Sequence, residues 1–293
     1  MQPFVSQCRP GRKKAKRLSR SACGRKSGVK YRLIAIDLDG TLVNREGDIL
    51  SSSKKAIQRA IDSGMKVVLA TGRMYRPSTR FAQELQLSTP IICYQGALIR
   101  EPYSRNVLWH KPLSVPTARG VIEQGRQTGV QLLVYIDDEV YVEEITQRGL
   151  WYAQRNGVAL HLVKDLAIFL ERQPTVIVAW GEPAGIDRLI TRLDADFGSS
   201  LLVTKSYPSF CEIGHPASGK GNALKYLAKR LGIKQSQTVA IGDGPNDISM
   251  LKWAGLGIVI GAAPEEVTAA ADWVVDTETE DSFAEVVEKL LDM

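Results

Sequence analysis

The apolar positions of this chain first set out a strand. Residues 31–38 (YRLIAIDL) form a nearly continuous apolar run ending in acid, the pattern of a strand buried on both faces. Residues 51–63 follow with helical spacing (Ile57, Ala60, Ile61), opened by serines able to cap the helix and closed before Gly64. A second buried strand is predicted at 66–70 (KVVLA), a helix at 77–85 and a third strand at 90–93 (PIIC). Strand and helix alternating through short connections predict a parallel sheet covered by helices.

The same order returns at the far end. Helices are predicted at 219–231, 248–254 and 264–271, interleaved with strands at 238–241, 257–260 and 273–275, and a last amphipathic helix covers 282–291. The middle differs. There a hairpin (132–136 and 140–142) turns through Asp137, Asp138 and Glu139, with helices near 145–155 and 183–197 and strands near 175–179 and 201–205. The expected fold class is α/β. It is a doubly wound parallel-sheet, Rossmann-like core over 30–112 and 209–293, interrupted by an inserted α/β cap domain at 113–208.

Composition changes this picture only at the amino terminus. Hydrophobic residues make up 44% and charged residues 24%, ordinary for a soluble globular protein. No apolar run approaches the roughly 20 residues of a membrane-spanning helix, so no membrane partner is expected. The net charge of +6 misleads: residues 1–30 carry ten of the 38 Lys and Arg and no acid, leaving 28 basic against 32 acidic residues elsewhere. The remainder gives no reason to expect nucleic acid as a partner. Residues 1–29 read as a disordered basic tail, since they lack the apolar surface that would offset ordering. Three accounts of it stand: an organellar transit peptide, a basic arm for nucleic acid, or an extension without function. Cys8, Cys23, Cys93 and Cys211 include no Cys-x-x-Cys pair, which fits the cytoplasm, or an organelle if the tail is a transit peptide. Cys93 and Cys211 read as small buried side chains, and His110, His161 and His215 match no metal or triad spacing.

Candidate chemistry gathers at strand ends. Asp37-Leu38-Asp39-Gly40-Thr41 closes the first strand, where the turn at Gly40 lets both acids reach one crevice. Two carboxylates this close resist joint ionisation unless a cation intervenes, and magnesium is the natural hard partner. One carboxylate then serves as nucleophile and the other as general acid and base. An aspartate with an intrinsic pKa of about 3.9 is ionised at neutral pH, so whichever carboxylate attacks needs no activating base. Asp243 and Asp247, in Gly242-Asp243-Gly244-Pro245-Asn246-Asp247, supply a second acidic pair after another buried strand. Thr71-Gly72-Arg73 follows a strand, where a hydroxyl and backbone N–H groups suit a phosphate oxygen. Lys220 opens a helix and offers a point charge to a phosphoryl group.

The four motifs together resemble the haloacid dehalogenase superfamily, and within it the Cof-type sugar-phosphatase branch, over about residues 30–293. The resemblance rests on the segments 35–42, 70–73, 218–224, 242–243 and 246–247 and on the large insertion after the third strand. It implies a phosphatase acting on a small phosphorylated metabolite, with Asp37 as nucleophile and Asp39 as acid and base. It further implies Mg2+ held by Asp37, the Asp39 backbone carbonyl and Asp243, with Asp247 in support. Leu38, Thr71, Gly72, Lys220 and Asn246 would then hold the phosphoryl group. Where the branch has Asn-Gly-Ala, this chain has Gln95-Gly96-Ala97.

Three alternatives stand beside this reading. Residues 214–220 match the G-x-x-x-x-G-K of a P-loop, but Gly221 takes the place of the Ser or Thr that binds magnesium. A phosphomutase of the same fold would form the same phospho-aspartate, and a binding protein would keep the scaffold without catalysis.

Overall fold

The computed structural model describes residues 31–44, 46–275 and 281–293. The basic tail expected at 1–29 lies outside them. In chain order the elements begin β1 (Leu33–Ile36), α1 (Ser51–Asp62), β2 (Lys66–Leu69), α2 (Tyr75–Glu84), β3 (Ile91–Cys93), β4 (Leu98–Arg100) and β5 (Val107–His110). The insertion contributes α3 (Val115–Arg126), β6 (Gln131–Ile136), β7 (Glu139–Val142), α4 (Gln147–Asn156), β8 (Leu160–Leu162), α5 (Leu166–Phe169), β9 (Val176–Trp180), α6 (Pro183–Phe197), β10 (Leu202–Tyr207) and β11 (Phe210–Gly214). The chain then completes the core with α7 (Lys220–Arg230), β12 (Thr238–Gly242), α8 (Ile248–Trp253), β13 (Leu256–Ile260), α9 (Glu265–Thr268), β14 (Trp273–Val275) and α10 (Ser282–Leu291).

The core sheet runs β14-β13-β12-β1-β2, all parallel. Alternation along β1 explains why its sequence is apolar throughout. Ile34 and Ile36 pack toward α1 and α10, while Leu33 and Ala35 pack toward α7 and α8. Helices therefore cover both faces, as the α/β fold class requires. Each large apolar side chain withdrawn from water in this way contributes roughly 1.5–3 kcal/mol.

The insertion is a mixed six-stranded sheet, β10-β11-β9-β6-β7-β8. Its outer face packs under α3 and α6 around Ile122, Ile177, Leu189 and Ile213. Leu133, Tyr135, Val176 and Val178 point the other way and join the core's own apolar cluster through Tyr94. One face of the inserted sheet thus roofs the carboxyl end of the parallel strands.

Several expectations need correction. β11 pairs with both β9 and β10, so the chain is still inside the inserted sheet at residues 210–214 and the expected return at 209 falls too early. Residues 90–93 do not simply extend the parallel sheet. β3 touches the end of the preceding parallel strand through one bridge, Ala70 to Ile92, and pairs antiparallel with β4 in a small meander completed by β5. The serines at the start of α1 do not cap it: Leu50 takes that position without a side-chain hydrogen bond, and Ser53 is buried. Among the described residues no helix is long and apolar enough to cross a membrane.

Candidate active site

The site grows from three loops at the carboxyl end of the parallel strands. Directly after β1 lies Asp37, buried at 4% exposure, with Leu38 packed wholly in the core. The Leu38 side chain is therefore turned away, and only its backbone is available to a ligand. Asp39 is exposed, and Gly40 follows at φ +84. A side chain at Gly40 would collide with the Asp243 carboxylate, so the turn that separates the two acids needs a residue without Cβ.

Lys220 opens α7 and is completely buried. Its Nζ donates to Asp37 Oδ1 at 2.5 Å and to Asp247 Oδ1 at 2.6 Å. The backbone that carries it is set by another close approach. Gly96, at φ +89, lies so near Gly219 and the Lys220 nitrogen that no Cβ fits between them.

The third loop follows β12. Thr41 donates its hydroxyl to Asp243 Oδ1 at 2.7 Å, tying the first loop to this one. Asp247 Oδ2 accepts the backbone N–H groups of Asp243 and Gly244, each at 3.1 Å. Asp37, Asp243 and Asp247 offer carboxylate oxygens all within 4.8 Å of one another. The Asp39 carboxylate is not among them, and both its oxygens are hydrogen-bonded by Arg73. Any part Asp39 has in holding a cation falls to its backbone oxygen.

This grouping carries a charge problem. Burial, and then the charge of Asp247, push the Asp37 carboxyl well above the ordinary aspartate value, against the pull of Lys220. The intrinsic aspartate value therefore does not carry over unchanged to Asp37, which burial and Asp247 push up and Lys220 pulls back. Burial also raises Asp243, to about 6, although the Thr41 hydrogen bond opposes the rise. Burial alone would lower the pKa of Lys220, but Asp247 and Asp37 hold it above the ordinary lysine value. Three carboxylates facing one ammonium are short of cation. Hard oxygen donors with excess negative charge suit a divalent cation that prefers oxygen.

The remaining expected residues surround this centre. Thr71 is fully buried, and its Oγ1 accepts the Arg73 N–H at 3.1 Å. Gly72 leaves room for the Gln95 amide, which a Cβ there would strike. Asn246 donates to Gln95 Oε1 at 3.0 Å, and Gln95 Nε2 donates to Glu212 Oε1 at 2.9 Å. Gln95 therefore does reach the site, as a bridge from the acidic loop to β11 of the inserted sheet. Gly72, Tyr94 and Gln95 from below and Tyr135, Tyr152 and Glu212 from above line a small cleft. For the P-loop alternative, Gly221 still stands where that motif needs a hydroxyl, and Lys220 pairs with Asp37 and Asp247.

Sequence reasoning missed the roles of Thr41, Arg73, Tyr94 and Glu212. Thr41 and Arg73 lay inside quoted motifs, so position alone could have raised them. Nothing local marks Tyr94 or Glu212, which meet the site only through folding. His110, His161 and His215 sit outside it, bonded to Thr175, Glu139 and the Ala217 N–H. Cys93 and Cys211 are buried free thiols, as expected.

Known proteins similar to this chain are found by family profile, by sequence and by structure. The profile of haloacid dehalogenase-like hydrolases matches residues 34–287. Pyridoxal phosphate phosphatase YbhA of Escherichia coli is 30% identical over 266 residues, covering 87% of this chain and 97% of that protein. Phosphatase YwpJ of Bacillus subtilis is 28% identical, covering 89% of this chain and all of that protein. The crystal structure of a haloacid dehalogenase-like hydrolase from Bacteroides thetaiotaomicron superposes with a TM-score of 0.80 at 29% identity, over 89% of this chain and 100% of that one. The chain belongs to the haloacid dehalogenase-like hydrolases.

Proposed function

We propose that this protein is a magnesium-dependent phosphatase that hydrolyses small phosphate monoesters through a phospho-aspartate on Asp37. The observation that carries the reading is the buried Asp37 pinned by Lys220 beside two further carboxylates, with the exposed Asp39 two residues along and the Gly72 turn lining a cleft under the inserted sheet. Relatives named as phosphatases, one of them for pyridoxal phosphate, support the reaction class.

The residues divide the work as follows. Asp37, Asp243 and the Asp39 backbone oxygen would hold magnesium, with Asp247 behind them. Bound there, magnesium supplies positive charge that keeps Asp37 ionised and neutralises phosphoryl oxygens. The Thr71–Gly72 turn, Lys220 and Asn246 orient the phosphoryl group. A carboxylate oxygen of Asp37 attacks phosphorus as the bond to the ester oxygen breaks, and Asp39 gives its proton to that leaving oxygen. Asp39 then takes a proton from the water that attacks the phospho-aspartate. The bond from phosphorus to Asp37 breaks, releasing inorganic phosphate and restoring both carboxyls. Lys220 holds its charge throughout in a water-poor site, where fixed charge stabilises the transition state most. The inserted sheet closes the cleft and selects the leaving group.

The test is phosphate release from a panel of metabolite monoesters, with magnesium or with EDTA, for wild type and Asp37→Asn. Release that needs magnesium and vanishes in the variant is expected. Release of equal size in the variant, or in EDTA, overturns the mechanism. Isomerised sugar phosphate without free phosphate would replace the hydrolase by a mutase.

A further inference from the structure

We infer that Asp138, at the tip of the inserted hairpin, is a positioning residue for the phosphate-binding turn of the core. This rests on the phosphatase reading only in taking the Thr71–Gly72 turn as the phosphate site. Sequence alone makes residues 137–139 a solvated acidic turn. The structure places Asp138 otherwise, with its side chain 9% exposed and inserted between the two layers.

Asp137 and Asp138 form the two-residue connection of the β6–β7 hairpin, and both have positive φ, 53° and 67°. That backbone fits the tight turns which suit right-twisted hairpins, and Asp tolerates it better than most residues. The turn projects the Asp138 carboxylate out of the inserted sheet and onto the start of α2. Oδ1 accepts the Tyr75 N–H at 3.0 Å and Oδ2 accepts the Arg76 N–H at 2.9 Å. These are the first two residues of α2, and the helix's own N-cap, Met74, provides no side-chain bond. A capping carboxylate is normally supplied by the residue next to the helix. Here it comes from 63 positions away and from the other layer. Arg76 with Glu139, at 2.6 Å, reinforces the same junction.

The third donor gives the contact its reach. Tyr94 Oη donates to Asp138 Oδ1 at 2.5 Å. Tyr94 and its neighbour Gln95 both have positive φ, 51° and 54°, and Gln95 accepts from Asn246. A single carboxylate therefore fixes both the turn that leads from Thr71 through Arg73 into α2 and the loop that carries Gln95. Both loops line the cleft beneath the inserted sheet, whereas Asp138 does not. Cap docking and phosphate-site geometry are linked through this side chain.

The experiment measures inorganic phosphate binding by calorimetry in magnesium, with hydrogen exchange of α2, for the full chain as wild type, Asp138→Ala and Asp138→Asn. In the alanine variant the Tyr75 and Arg76 amides should lose protection while β1 and β12 keep theirs, and phosphate should bind about tenfold more weakly, the scale of one or two lost charge-assisted bonds. The asparagine variant keeps an acceptor and should recover most of that affinity. Loss of amide protection with unchanged phosphate affinity makes Asp138 a structural cap only and overturns the inference, as does protection unchanged in Asp138→Ala. If the alanine variant does not fold, Asp138→Ser replaces it, being too short to reach α2 but suited to the turn. Failure of the phosphatase reading appears in the wild type, as no phosphate binding, and removes the inference with it. Failure of the inference alone appears only in the variants.

Discussion

Arg73 holds both side-chain oxygens of Asp39, through Nε at 2.8 Å to Oδ2 and through Nη2 at 2.5 Å to Oδ1. Burial opposes the arginine charge, yet the Asp39 hydrogen bond and charge raise its pKa above the ordinary value. An acid that must pass a proton to a leaving oxygen cannot keep both oxygens in such a fork. The role proposed for Asp39 therefore requires one of these oxygens to leave Arg73 when substrate arrives.

Asp39→Asn should therefore slow formation and breakdown of the phospho-aspartate alike, by about 10²–10⁴-fold, the usual worth of general acid and base catalysis. Acid-quenched phosphoprotein and steady-state phosphate release check the two halves separately. Wild-type rates in both would remove Asp39 from its role.

Lys220→Met should strip the only cation bonded to Asp37 and Asp247 among the described residues. Breaking a buried ion pair from one side costs about 3–5 kcal/mol, because the uncompensated charge stays buried. Urea unfolding with EDTA measures this loss. Unchanged stability would mean that the carboxyls simply take up protons when the lysine is removed.

Magnesium should stabilise the protein, and more so at higher pH. The Asp243 pKa stands at about 6 in the folded, cation-free chain, against about 3.9 for an unfolded aspartate. A raised folded pKa favours the protonated form, so its contribution is complete below about pH 4 and is lost as pH rises through about 6. Cation binding needs the ionised form and runs the other way. The rise in Tm on adding magnesium should be small near pH 5 and larger near pH 7.5. A rise independent of pH would contradict the assignment of Asp243 as a ligand.

Gly96→Ala tests the spacing between loops. The residue is at φ +89, and its added methyl would strike the Gly219 carbonyl. A strained backbone costs on the order of 1–3 kcal/mol, and relief by displacing Gly219 would move Lys220 off Asp37. Both a lower Tm and a lower kcat are expected. A variant with wild-type kcat would show that the Lys220 loop yields without consequence.

The parts of this fold that could be read beforehand share a physical basis. β1, β2, β12 and β13 are buried on both faces, so their apolar runs stand out without knowledge of partners. Asp37, Lys220, Asp243 and Asp247 were legible because each follows a strand or opens a helix, and the sheet gathers those ends. β4 and β5 were not. They are three and four residues long and contain Arg100, Trp109 and His110, which carry no strong period. Asp138 and Glu212 were hidden for another reason. An acid in a turn or strand reads as solvated until its distant donors, Tyr94 and Gln95, are known. The serines that open α1 show the reverse error, a local capping signal at residues that lie inside the helix while Leu50 holds the N-cap position.

The placement of β1 between β2 and β12 has a consequence for synthesis on the ribosome. Asp37 is translated early, but its lysine lies 183 residues further on, beyond the whole insertion. Until β12 emerges, one edge of β1 has no neighbour, and an open apolar edge invites pairing with other chains. A nascent chain that has not reached residue 220 thus carries Asp37 without its counter-charge and β1 without one of its two neighbours.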